Sequence, residues 1–255
     1  MLIDTHCHLT DDYSSVGGVD AVISRAVAAG VSIMICPTAD PADIDAAIKL
    51  SEQYDNIFTT IGIHPEHAGV RATDFINTDI LSHPRVVGVG EIGLDYHEMG
   101  PDTHVAQQEL FETQLEMARA AMLPVAIHTR DAEQDTVAVL SHFPDVRGVM
   151  HCFTSSYDLA KQMLDRGFFF SASGILTFKN AGDIRDTFAK IPMDRLVVET
   201  DSPYCAPVPH RGHICEPAFV VETARVLAEI KNIPFEKIFD ILTENTKRLY
   251  PKMVI

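Results

Sequence analysis

Basic residues are scarce in this 255-residue chain: 20 Lys and Arg stand against 36 Asp and Glu, a net charge of −16. That excludes a broad basic surface holding nucleic acid through many phosphate contacts, and leaves room only for a local basic patch. No apolar run approaches the roughly 20 residues that a membrane helix needs. The opening Met1-Leu2-Ile3-Asp4 has no basic segment ahead of an apolar one. No signal peptide is therefore expected, and the cytoplasm is the expected location. The five cysteines, Cys7, Cys36, Cys152, Cys205 and Cys215, are an odd count without a CxxC spacing. They are expected as reduced thiols rather than a disulfide framework. No GxGxxG follows the first apolar run, which weakens a dinucleotide-binding reading. Neither a linker nor a low-complexity tract interrupts the chain, so a single domain over 1–255 and a monomer are expected.

What is present is an alternation of short apolar runs with helical patterns. The runs are Leu2-Ile3-Asp4, Val31 to Ile35, Ile57 to Ile61, Val86 to Val89, Pro124 to Ile127, Gly148 to Met150, Phe168 to Phe170 and Leu196 to Val198. Helices are predicted at Val19 to Ala29, Pro41 to Tyr54, Ala72 to Ser82, Thr103 to Met122, Glu133 to His142, Tyr157 to Arg166, Pro217 to Ile230 and Pro234 to Tyr250. Asn180 to Lys190 reads as helix or loop. In the longest, Phe111, Leu115, Ala118 and Met122 share one face at 4, 3, 4 spacing. The strands are continuously apolar rather than alternating, as in a parallel sheet buried on both faces. About eight βα units in about 250 residues is the arithmetic of an α/β (β/α)8 TIM barrel. A doubly wound open sheet is the alternative.

Barrel active sites lie at the C-terminal ends of the strands. The residues after each run are therefore informative. They include His6-Cys7-His8, then His64, Glu91, His128 and His151, and finally Glu199-Thr200-Asp201. In extended backbone, residues i and i+2 face the same side, so His6 and His8 can reach one cation while Cys7 points away. Imidazole and carboxylate, without thiolate, suit Zn²⁺, Mn²⁺ or Mg²⁺. Two carboxylates and four imidazoles can satisfy two divalent ions, one carboxylate bridging, with positions open for water and substrate.

The stretches Ile3-Asp4-Thr5-His6-Cys7-His8-Leu9, Gly62-Ile63-His64-Pro65, Gly88-Val89-Gly90-Glu91-Ile92-Gly93-Leu94-Asp95-Tyr96, Pro124-Val125-Ala126-Ile127-His128-Thr129-Arg130, His151-Cys152-Phe153-Thr154 and Leu196 to Pro203 resemble the TatD-type metal-dependent deoxyribonucleases. These are metal barrels of the amidohydrolase kind, and the resemblance covers nearly the whole chain. It implies metal-dependent hydrolysis of DNA phosphodiesters, often from a 3′ end, on single-stranded DNA or at ends. It also implies that His6, His8, Glu91 and Asp201 hold one metal, and that Glu91, as bridge, holds the second with His128 and His151. Glu91 and Asp201 would carry the catalysis. The chain departs from the family pattern in two places. Arg211-Gly212-His213-Ile214-Cys215 lacks a Lys and an Asn usual there, and Ser155 stands where a Gly is usual. Both departures bear on substrate contacts rather than on the metal core.

Around that core each residue has a functional and a plain reading. His64 touches substrate or bound water, or is a hydrogen-bonded structural residue. Asp95 supports a ligand histidine or caps the next helix. Glu199 orients ligands, binds a further metal, or makes a simple ion pair. Arg130, two residues past His128, grips a phosphate or pairs on the surface, and Arg211 reads the same way. Cys7 and Cys152 are expected as small buried filler. Phe153, Phe178 and Tyr204 stack on bases or simply pack. Hydrolysis of an amide, ester or lactone in a small molecule is the competing activity. A non-enzymatic metal-binding role is the third reading.

Overall fold

The computed structural model describes residues 1–254. Eight apolar runs form parallel strands, and each is followed by a helix. In chain order these are β1 (Leu2–Asp4), α1 (Val19–Ala28), β2 (Val31–Pro37), α2 (Ile44–Gln53), β3 (Ile57–Thr60), α3 (Thr78–Ser82), β4 (Val86–Asp95) and α4 (His104–Ala121). The second half continues with β5 (Val125–Arg130), α5 (Glu133–Ser141), β6 (Gly148–Met150), α6 (Tyr157–Asp165), β7 (Phe169–Ala172), α7 (Gly182–Lys190), β8 (Leu196–Val198), α8 (Val220–Lys231) and α9 (Phe235–Leu249). The strands pair in sequence order from β1 to β8. The fold is a (β/α)8 barrel, and the open-sheet alternative is excluded by its closure.

Closure between β8 and β1 is made just beyond the strands. The Thr5 N–H donates to Val198 O at 3.1 Å, Asp201 N–H to His6 O at 2.9 Å, and His8 N–H to Ser202 O at 2.7 Å. Asp4 splints the same seam: its carboxylate accepts the Thr200 N–H at 3.0 Å and the Thr200 hydroxyl at 2.5 Å. Complete burial pushes the Asp4 carboxyl up to about 8 against those hydrogen bonds. The seam thus sets His6 and His8 beside Asp201.

Two apolar layers hold the barrel. Ile3, Ile33, Ile35, Phe58, Val87, Ala126, Val149, Phe169 and Val197 fill its interior, at least one from every strand, and Leu249, Tyr250 and Met253 join the same cluster. The other layer lies between strands and helices, where Phe111, Leu115 and Ala118 of α4 are completely buried. Met122 ends that face instead as an exposed left-handed residue just past α4.

Two elements differ from the sequence expectation. The segment from Ala72 to Ser82 is not one helix: a 3₁₀ turn at Ala72–Asp74 precedes α3. Asn77 restarts the chain, its side chain accepting the Ile80 N–H at 3.0 Å as an N-cap. And β4 continues to Asp95, because Ile92 to Asp95 pair with Ile127 to Arg130. The ladder shifts register between Val89 and Ile92. Such irregularities re-aim a side chain, and here the residues within the shift are Gly90 and Glu91.

Candidate metal centre

Glu91 is the hub of the barrel mouth. It is buried, and its two carboxylate oxygens face different histidines. Oε2 lies 3.2 Å from His6 Nε2 and 3.7 Å from His8 Nε2. Oε1 lies 3.0 Å from His128 Nδ1 and 3.0 Å from His151 Nε2. Asp201 completes the first group, with Oδ1 3.5 Å from His8 Nε2 and 3.8 Å from His6 Nε2. The ring nitrogens of His6 and His8 approach to 3.2 Å. Metal–nitrogen bonds of about 2.0–2.1 Å require neighbouring donors roughly 3.0–3.4 Å apart. The structure therefore brings together all six residues expected from the sequence, His6, His8 and Asp201 in one group and Glu91, His128 and His151 in another, with Glu91 Oε2 reaching across to His6 and His8.

The far nitrogens of the second pair are also engaged. Asp95 Oδ2 lies 2.9 Å from His128 Nε2. Glu199 Oε1 lies 2.9 Å from His151 Nδ1, off the line of a hydrogen bond, and accepts the Cys152 N–H at 2.7 Å. Metal-ligating histidines characteristically have such a carboxylate behind them, which fixes ring and tautomer. Both supporting residues thus do more than cap a helix or pair at the surface, although Asp95 also accepts the His97 and Glu98 N–H groups at the entry to the next segment.

The electrostatics match a site built for cations. Burial opposes ionisation of Glu91, but His151, His128 and His6 outweigh it and hold the carboxylate well below its ordinary range. Asp201 is lowered by His8 and its neighbours despite burial. Burial works against the charged forms of His128 and His151, yet the flanking carboxylates raise both. His8 is raised through Asp201 and Glu91, whereas burial and His151 push His6 down. In the metal-free protein these protons compensate the carboxylates, so cation binding must displace them.

His64 stands at the edge of this cluster, Nε2 3.8 Å from Glu91 Oε1, while its Nδ1 accepts the Glu66 N–H at 3.2 Å. Burial holds it down to about 4, a neutral imidazole. Arg130 contacts none of the six: its guanidinium meets Glu98 at 2.8 Å and lines a cavity of about 730 Å³ reached from the ends of β5 and β6. Arg211 lies over the Phe178 ring at 3.8 Å in the loop after β8. Of the candidate aromatics, Phe153 is buried against Phe170 and Phe188, while Tyr204 is more than half exposed and edge-on to His8.

The thiols were incompletely anticipated. Cys7 is buried filler, but Cys152 is partly exposed and shares a cluster with Cys205 and Asp201. Cys205 carried no signal in the sequence, since it lies in a loop whose path no periodicity specifies.

The sequence profile of TatD related DNase matches residues 3–251. The chain belongs to that family. It is 39% identical over 260 residues to the uncharacterized metal-dependent hydrolase YabD of Bacillus subtilis, covering 98% of this chain and 99% of YabD. It is 40% identical over 258 residues to the uncharacterized metal-dependent hydrolase YcfH of Escherichia coli K12, covering 98% and 95% of the two. Among solved structures it resembles YjjV, a TatD homologue from E. coli K12, with a TM-score of 0.85, 29% identity and 98% of each chain covered. The TatD chain described here is thus a metal-dependent hydrolase, with a His/Asp/Glu cluster at the barrel mouth able to hold metal. No helix among the described residues is long and apolar enough to cross a membrane.

Proposed function

We propose that this TatD protein hydrolyses DNA phosphodiester bonds at single-stranded ends, using two divalent cations held by His6, His8, Glu91, His128, His151 and Asp201. The observation that carries the reading is the division of the Glu91 carboxylate, Oε2 toward His6 and His8 and Oε1 toward His128 and His151. When bound, a pair of Mg²⁺, Mn²⁺ or Zn²⁺ ions supplies charge for a phosphate and lowers the pKa of an attacking water. Asp201, less buried than Glu91, accepts the proton that this water gives up. Asp95 and Glu199 hold His128 and His151 in orientation. Neutral His64, beside Glu91, contacts substrate or its water by hydrogen bonding rather than by charge. Arg130 and Arg211 are both exposed, and each would leave its present partner, Glu98 or the Phe178 ring, to reach a substrate phosphate.

One observation favours a second reading, hydrolysis of an amide, ester or lactone. The cavity reached from the ends of β5 and β6 is lined by Asp131, Glu133, Asp135 and Asp183 with Arg130 as its one cation. Such a lining repels a long polyanion and tolerates a neutral or cationic organic group. The deciding experiment assays purified protein on short single-stranded DNA and on a panel of esters and lactones, each with and without added metal. Metal-dependent release of nucleotides supports the first reading. Turnover of the small molecules alone replaces it by the second.

A further inference from the structure

Asp201 divides its carboxylate as Glu91 does. Its Oδ1 faces His6 and His8. Its Oδ2 faces the other way, 3.6 Å from the Cys205 thiol. The Cys152 thiol, Cys205 thiol and an Asp201 oxygen all lie within 4.8 Å of one another. In a tetrahedral site with metal–sulfur bonds of about 2.3 Å and metal–oxygen bonds of about 2.0–2.2 Å, donor atoms stand roughly 3.5–3.8 Å apart. The Cys205–Asp201 separation of 3.6 Å is of that order, and Cys152 Sγ lies within 4.8 Å of both.

Backbone and burial set the two thiols in place. Cys152, Asp201 and Cys205 all adopt positive φ, at 40°, 59° and 52°. The Cys152 N–H is tied to Glu199, and its Sγ reaches the buried Ser173 hydroxyl at 3.1 Å. Cys152 and Cys205 are partly exposed residues, whereas Cys7, Cys36 and Cys215 are completely buried. The pair comes from different loops, one after β6 and one after β8, so no local sequence pattern requires it.

We infer that Cys152, Cys205 and Asp201 Oδ2 form a further cation subsite, sharing Asp201 with the His/carboxylate centre and selective for thiophilic d¹⁰ ions such as Zn²⁺ and Cd²⁺. Two thiolates give it a preference opposite to that of the neighbouring imidazole and carboxylate donors, which accept Mn²⁺ or Mg²⁺. Ser173 Oγ or water supplies the fourth position. Binding releases the two thiol protons to solvent, and no electrons move. The inference is independent of which bond the enzyme hydrolyses.

The test is a cadmium titration of reduced, Mn²⁺-loaded protein, followed by the ultraviolet thiolate-to-cadmium charge-transfer band, which the hard donors cannot produce. The wild type gives a saturable band that added Zn²⁺ bleaches. Cys152→Ser and Cys205→Ser each weaken Cd²⁺ binding by more than about 100-fold, beyond the roughly 10–100-fold typical of losing a group outside the coordination sphere. Asp201→Asn weakens it with both thiols intact. Circular dichroism melts check that each variant is folded. A wild type without the band, or a band unchanged in both cysteine variants, overturns the subsite.

Discussion

Asp201 stands on the seam where β8 meets β1, its backbone N–H fastened to His6 O and its carboxylate among the histidines. Asp201→Asn keeps its shape and one oxygen but removes charge and basicity. Loss of general-base assistance is worth about 10²–10⁴ in rate. Turnover on the substrate found in the assay above should fall by at least about 10²-fold, while the melting temperature of the metal-free protein falls, because the carboxylate that compensates His8 is gone. Near-normal turnover would move the proton-accepting role elsewhere. His64 offers a pH prediction of definite sign. Its ordinary value is 6.5 and burial holds it at about 4 in the folded protein. Between those values the unfolded chain binds a proton that the folded one does not, so stability rises with pH across this window. The contribution is full above about pH 6.5 and is lost as pH falls toward 4, on the order of 3 kcal/mol in all. Urea denaturation of metal-free wild type and His64→Gln at several pH values measures it: the variant should show the flatter acid limb.

At the scale of elements, the sharpest constraint is where β4 meets β5. Gly93 has φ +144°, and a Cβ there would lie 1.9 Å from the His128 carbonyl oxygen. Gly93→Ala must push β5 away from β4 or twist β4, and His128 moves with it. Strain together with a backbone clash should cost more than about 2 kcal/mol, visible as a lower denaturation midpoint and weaker metal binding. An alanine variant of wild-type stability and metal affinity would contradict this packing. The strand ends show what a sequence can reveal. His6, His8, His128 and His151 were legible because they follow short apolar runs whose barrel order fixes their direction. Glu91 was legible as a strand-end residue, yet β4 runs on past it, and the register shift that aims it depends on the partner strands. The pairing of Asp95 with His128 and Glu199 with His151 depends on ring orientation, which spacing does not encode. The Cys152–Cys205 approach depends on two loops with no periodicity, as does the seat of Arg211 on Phe178. Arg130 lies two residues past His128 as a phosphate contact would need, but its partner is Glu98, which no local pattern announced.

For the whole molecule, the His/Asp/Glu cluster at the mouth ties stability to cation binding, since whatever binds the folded state alone stabilises it. A metal at about 100 times its dissociation constant stabilises by about 2.7 kcal/mol. For a chain of this size that corresponds to a melting temperature lower by roughly 5–10 °C after chelation, restored by adding Mn²⁺; scanning calorimetry with and without chelator reads it directly. On the proposed DNA reading, the net charge of −16 favours brief contact at a nucleic-acid end over binding along a duplex. The account rests on Glu91 joining two cation sites, and anomalous diffraction from Mn²⁺-loaded crystals tests that most directly. Two peaks about 3.5–4 Å apart are expected, one among His6, His8 and Asp201 and the other at His128 and His151, with Glu91 between them. A single peak, or peaks that do not both contact Glu91, would contradict it.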